Sequence, residues 1–237
     1  MSGVDSVLLI AFGGPERSED IRPFLEIVSA GRRIPAERLE EVAHHYELIG
    51  GRSPLTELTR RQADALGRAL EQEGIALPVH VGMRNWHPFL HEALAEMKDA
   101  GHRRALGIIM SSLQTEASWD RYAADVAAAR DKVGTDAPEV VFAPAWGAHP
   151  LFIAAMAERV GEALAGVPPA RRSAAALIFT AHSVPVTMAS GSPYAAQLET
   201  AARSERPDML VPIDFPDFNL RLAASAKAAW PPGPRRA

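Results

Sequence analysis

Val7-Leu8-Leu9-Ile10-Ala11-Phe12, followed at once by Gly13-Gly14-Pro15, decides the fold of this 237-residue chain. The run lacks the polar and apolar alternation of a strand with one wet face, so it reads as a strand buried on both faces and closed by a tight turn. Runs of the same kind recur at Val79 to Met83, Ala105 to Met110, Val140 to Phe142, Ala176 to Thr180 and Met209 to Ile213. Between them apolar residues fall at helical spacing, at Ile21, Phe24, Leu25 and Val28 and again at Leu55, Leu58, Ala65, Leu66 and Leu70. Alternating strands and helices predict a parallel, doubly wound α/β sheet. Helix ends agree: Ser18 precedes an acidic first turn, Gly74 closes a helix that starts near Glu57, and Pro150 opens one running to about Leu164.

A content of 47% hydrophobic and 23% charged residues is that of an ordinary globular chain. Its length fits one large domain or two of roughly 100 residues, and we place a boundary near Ser112. The expected organisation is residues 1–112, residues 113–229 and a disordered tail over 230–237, where Trp-Pro-Pro-Gly-Pro-Arg-Arg-Ala cannot continue a helix. The alanine-rich stretch Leu220 to Ala229 before it is expected to form a short helix.

A formal net charge of −4 offers no basic field to nucleic acid and no polybasic membrane anchor. The chain contains no cysteine, which excludes disulfides, thiolate zinc sites and cysteine-held iron–sulfur clusters. Any metal must therefore meet His, Asp or Glu. No signal sequence and no run of 18 apolar residues is visible, so the expectation is a soluble cytoplasmic protein without a membrane segment.

In open α/β sheets ligands bind beyond the carboxyl ends of the strands, so the residues just after each strand carry the functional reading. Gly13-Gly14-Pro15 follows the first strand and brings backbone close to whatever lies above it, although it makes no dinucleotide fingerprint. Gly82-Met83-Arg84-Asn85-Trp86-His87-Pro88 offers a cation, an amide, an indole and an imidazole just past another strand. Trp86 and Trp119 read equally as core anchors. Gly31-Arg32-Arg33 is a compact cationic loop suited to bidentate contacts with carboxylates, or simply a solvated one. His44 and His45 point to different faces of a helix and make no metal pair. Thr115 and Ser118 suit the cap of a helix that contains Tyr122. Ala181-His182-Ser183-Val184-Pro185 puts an imidazole at a strand mouth; a lone histidine is more often a packed residue, and no G-x-S-x-G elbow makes Ser183 a nucleophile.

Taken in order, Leu9 to Pro15 (L-I-A-F-G-G-P), Tyr46 to Leu55 (Y-E-L-I-G-G-R-S-P-L), Gly82 to Pro88 and Ala181 to Pro185 (A-H-S-V-P) resemble ferrochelatase over about residues 6 to 200. The resemblance implies two Rossmann-like parallel-sheet domains around a porphyrin site, with ferrous iron and porphyrin as substrates of haem synthesis. No cofactor is held permanently, and iron enters as a substrate. His182 matches the histidine assigned either metal contact or acceptance of the pyrrole protons, chemistry that suits a neutral imidazole near its natural pKa. Tyr46, Ser53 and Tyr122 match positions that line the ring or hold its propionates, and Arg32 falls in the family's basic loop. Phe12 stands where members acting on coproporphyrin often carry a tyrosine able to ligate iron, which phenylalanine cannot do. Protoporphyrin IX and coproporphyrin III both stay open on these residues.

Val211-Pro212-Ile213-Asp214-Phe215 resembles a family strand that precedes an acidic segment, but it arrives early. The expectation is an incomplete second domain without the carboxylate that faces His182; Asp214 and Asp217 are nearby and neither is assigned. Slower metallation, lower stability and self-association through the shortened domain are the expected consequences. The alternatives are a porphyrin-binding remnant without catalysis and a chelatase for another metal or tetrapyrrole. An α/β nucleotide-binding module lacks both a Walker loop and G-x-G-x-x-G.

Overall fold

A computed structural model describes residues 3–115, 119–172, 174–175, 178–181, 191–194, 196–197 and 209–212. They fall into two compact units, Met1–Met110 with Arg121–Ala143, and Ser111–Asp120 with Pro144–Ala237.

The first unit runs β1 (Ser6–Ala11), a 3-10 turn (Ser18–Asp20), α1 (Ile21–Ser29), α2 (Ala36–Leu48), α3 (Leu55–Gln72), β2 (Val79–Met83), α4 (Leu90–Asp99), β3 (Arg104–Ile109), α5 (Arg121–Val133) and β4 (Glu139–Phe142). Its sheet is the parallel α/β sheet that the apolar runs predict, in the order β2-β1-β3-β4, with Val7 level with Val79 on one side and Leu106 on the other. Every residue of β1 is buried. Val7 and Leu9 face α3, packing with Ala63, Leu66 and Leu70. The opposite face meets α4, since a Cβ on Gly82 would lie 2.9 Å from Leu90 Cδ2 and 3.3 Å from Leu8 Cδ1. Two-sided burial explains why this strand shows no alternation. Because β2 lies on one side of β1 and β3 on the other, the strand order reverses at β1, which is where open sheets of this kind leave a crevice.

Several helix ends follow local chemistry. Gly74 takes φ +72° just past α3, and its N–H bonds to Glu71 O at 3.0 Å. Glu92 accepts the Phe89 N–H at 2.8 Å to cap α4. Ser18, expected as a cap, makes none: it lies inside the 3-10 turn, and α1 begins only at Ile21. Its hydroxyl instead abuts Gly51, where a Cβ would collide with Ser18 Oγ. A contact distant in sequence has overridden the capping preference.

In the second unit α6 (Pro150–Ala165) starts with Pro150 in its first turn, and His149 Nδ1 accepts the Leu151 N–H at 3.2 Å. A short helix α7 (Pro169–Arg172) follows, and β5 (Ile178–Ala181) pairs in parallel with β6 (Met209–Pro212). Trp119 Nε1 donates to Ser111 O at 3.2 Å, and the Trp119 N–H reaches Thr115 O at 2.9 Å.

Candidate functional site

The carboxyl edge of the first unit's sheet is stitched together by backbone. Arg84 N–H donates to Ala11 O at 2.9 Å, and Phe12 O accepts both the Asn85 N–H at 3.0 Å and Asn85 Nδ2 at 3.1 Å. The loop after β2 is thereby fixed to the turn after β1. Gly13 takes φ +82°, and a Cβ there would come within 3.0 Å of Trp86 N; one on Gly14 would fall 2.6 Å from Ser53 Cβ. The two glycines therefore let Trp86 close on one side of the turn and Ser53 on the other. Ser53 N–H donates to Pro15 O at 2.7 Å, and its Oγ accepts the Leu55 N–H at 3.2 Å at the start of α3.

Over this edge stands an aromatic cluster centred on Phe24, which is 2% exposed. Phe12, Tyr46 and Trp86 meet its ring edge to face, with centroids 6.3, 6.1 and 6.1 Å away. Such contacts lock the rings at angles that interdigitate, beyond the area they bury. Phe12 stays 40% exposed, so a fixed aromatic face is offered at the strand end. Burial pushes the Tyr46 phenol up, leaving it a neutral hydrogen-bonding group across the physiological range.

Tyr122 lies in the first turn of α5 and is almost fully buried. Burial pushes its phenol up to about 12, with the Arg84 cation opposing and Asp125 reinforcing. The Arg84 guanidinium sits 5.5 Å from the centre of its ring and 2.6 Å from Asp125 Oδ2. Arg32 is exposed in the loop after α1, where its N–H bonds to Ser29 O at 2.9 Å. The structure thus brings Phe12, Tyr46 and Ser53 to the turn after β1 and its aromatic cover, sets Tyr122 beneath Arg84, and leaves Arg32 on the surface.

Ser53 also lines an open groove of about 310 Å³. Arg52, Arg60 and Arg61 there face Glu16, Glu57 and Asp64, and Arg60 pairs with Glu16 at 2.8 Å. The charges cancel, so the groove is no bare anion site. Among the described residues no three His, Asp or Glu side chains come together to hold a metal ion. His182 lies outside the described residues, as do Ser183, Asp214, Asp217, the stretch from Leu220 to Ala229 and the tail from Trp230. Phe24 as the hub of the cluster and Asp125 as the partner of Arg84 escaped the sequence reading. The apolar stripe of α1 marks Phe24 only as buried, and no local pattern links Asp125 to β2.

An apolar, aromatic wall with a few fixed polar groups is the chemistry of a site for a flat organic ligand. A family model described as ferrochelatase matches residues 4–216. Coproporphyrin III ferrochelatase of Mycobacteroides abscessus is 44% identical over 182 residues, 77% of this chain and 52% of that protein. Coproporphyrin III ferrochelatase of Nocardia farcinica is 43% identical over 208 residues, 84% of this chain and 59% of its own length. A ferrochelatase of Rhodopirellula baltica is 41% identical over 201 residues, 84% and 56% of the two chains. The chain thus spans little more than half the length of these relatives.

Proposed function

The chain belongs to the ferrochelatase family, and from that membership we propose that it binds coproporphyrin III and inserts ferrous iron into it, a metallation step of haem synthesis carried out in the cytoplasm. The observation that carries the reading is the exposed Phe12 face, held by Asn85 and backed by Phe24, Tyr46 and Trp86 at the point where the strand order reverses. The similarity to coproporphyrin III ferrochelatases supports the ring with four carboxylates over protoporphyrin. Among the described residues no helix is long and apolar enough to cross a membrane.

In this reaction two pyrrole N–H bonds break, all four ring nitrogens bond to the ferrous ion as it sheds water, and two protons leave to a base or to solvent. His182 takes the role of proton acceptor or transient iron contact, because a neutral imidazole does either near neutral pH. Its hold on iron is weak, since the ion has to pass on to the macrocycle. Phe12 supplies ring contact and no iron ligand.

Titration of the purified chain with coproporphyrin III, followed by anaerobic ferrous iron, tests the reading. We expect a Soret shift and tryptophan quenching within tens of micromolar, about −6 kcal/mol, then the spectrum of the metallated ring. His182→Ala should slow insertion by about 10²–10⁴ while porphyrin still binds. An unchanged Soret band overturns the proposal. Binding without metallation reduces it to porphyrin binding alone.

A further inference from the structure

Arg84 is the first residue past β2, at the same sheet edge as Phe12, yet its cation does not stand free. Its Nε lies 2.6 Å from Asp125 Oδ2, and the guanidinium covers the Tyr122 ring. Tyr122 and Asp125 are three positions apart on α5 and so reach the same cation from one helix face. The Arg84 side chain keeps only 20% exposure. Asp125 Oδ2 is shielded from solvent and meets no well-aligned hydrogen-bond donor among the described residues. The contact is therefore an ion pair held by charge at short range, not by a straight hydrogen bond; the Asp125 side chain keeps 37% exposure, so removing it leaves the more enclosed Arg84 cation as the group without a partner.

We propose that Asp125 is a positioning residue of the porphyrin site: it holds Arg84 over Tyr122 and cancels that cation at the carboxyl edge of the sheet. The inference rests on the porphyrin-binding reading above. An unpaired guanidinium at this edge attracts the carboxylates of the ring and repels ferrous iron, two substrates of opposite charge that must meet in one place. Asp125 removes that bias and fixes the long Arg84 side chain, which would otherwise sample the ligand's space.

The test compares the full chain with Asp125→Asn, Asp125→Glu, Arg84→Met and the double variant Asp125→Asn/Arg84→Met. Two quantities are read: phenylglyoxal modification of Arg84 in the ligand-free protein, mapped by peptide mass spectrometry, and coproporphyrin III affinity at low salt. With Asp125→Asn, Arg84 should be modified about 3–10-fold faster and coproporphyrin III should bind about 3–10-fold tighter. In the Arg84→Met background the same change should leave affinity unaltered. Asp125→Glu keeps the charge and should keep Arg84 protected, which separates loss of pairing from loss of fold. Loss of either effect, or an equal shift in affinity in the Arg84→Met background, overturns the proposal, since a packing role alone does not depend on Arg84's charge. Should the wild-type chain bind no coproporphyrin III, the functional reading fails by itself. The labelling then decides alone: faster modification upholds the restraint of Arg84 by Asp125, and an unchanged rate removes it.

Discussion

His80 shows how much a single position depends on its surroundings. It lies on β2 with its ring 5.3 Å from that of His102, and its Nδ1 is 3.8 Å from Glu96 Oε1. His102 in turn lies 3.7 Å from Asp5. Nε2 of His80 is buried without a hydrogen-bond partner among the described residues. Burial holds His80 below the ordinary histidine value; Glu96 opposes this from an exposed position, and His102 adds to it. The unfolded chain therefore takes up the proton at higher pH than the folded one. Stability from His80 is complete above about pH 6.5 and is lost as the pH falls below it. We expect a lower thermal midpoint at pH 5.5 than at pH 7.5, and a smaller gap in His80→Gln, whose side chain does not titrate. A gap that stays the same in the variant would show that other groups govern the acid limb. Nothing in the sequence distinguishes His80 from any other strand histidine, because its neighbours His102 and Glu96 arrive only when the sheet and α4 come together.

At the scale of elements, the α1 and α2 pair is the frame of the candidate site. Ile21, Phe24 and Leu25 of α1 pack on Ala43 of α2, with Val42, Tyr46 and Trp86 around them. Truncating Phe24 to alanine removes the shared support of three rings and should cost about 3–5 kcal/mol in urea unfolding. Phe24→Leu keeps most of the volume and should cost about 1.5 kcal/mol or less, yet it removes the edge-to-face contacts that set Phe12 and Tyr46. We therefore expect the leucine variant to fold and to bind coproporphyrin III more weakly than wild type. Undiminished binding would mean that the cluster is structural only. Several elements were legible because their signals are local. Val79 to Met83 is β2 residue for residue, β1 and β3 sit within a residue of their apolar runs, and Gly74 and Pro150 mark helix ends as expected. The order β2-β1-β3-β4 was not legible, since strands of similar composition carry no mark of their neighbours. The same reason hid the pairing of Arg84 with Asp125 and the contact that draws Ser18 to Gly51.

For the whole molecule, the two units differ in how they bury apolar surface, and this governs where the chain should open first. In the first unit Leu8 and Ile10 of β1 and Leu94 and Met97 of α4 are completely buried, with helices on both faces of the sheet. In the second unit α6 is rich in apolar residues but has none buried, with Leu151 74% and Met156 41% exposed. Local opening costs free energy in proportion to the packing it disrupts, so the amides of β1 and β3 should exchange with solvent only on global unfolding. Those of α6 should exchange through fraying of an uncovered helix. We expect the amides of Leu8, Ile10 and Ile109 to exchange at least about 10²-fold more slowly than those of α6, corresponding to about 3 kcal/mol, in a dilute sample near neutral pH. Slow exchange in α6 would mean that its apolar residues are covered in solution. The concentration dependence then separates the causes, because cover by a second copy is lost on dilution and appears as a dimer in sedimentation, whereas cover from within the chain is not.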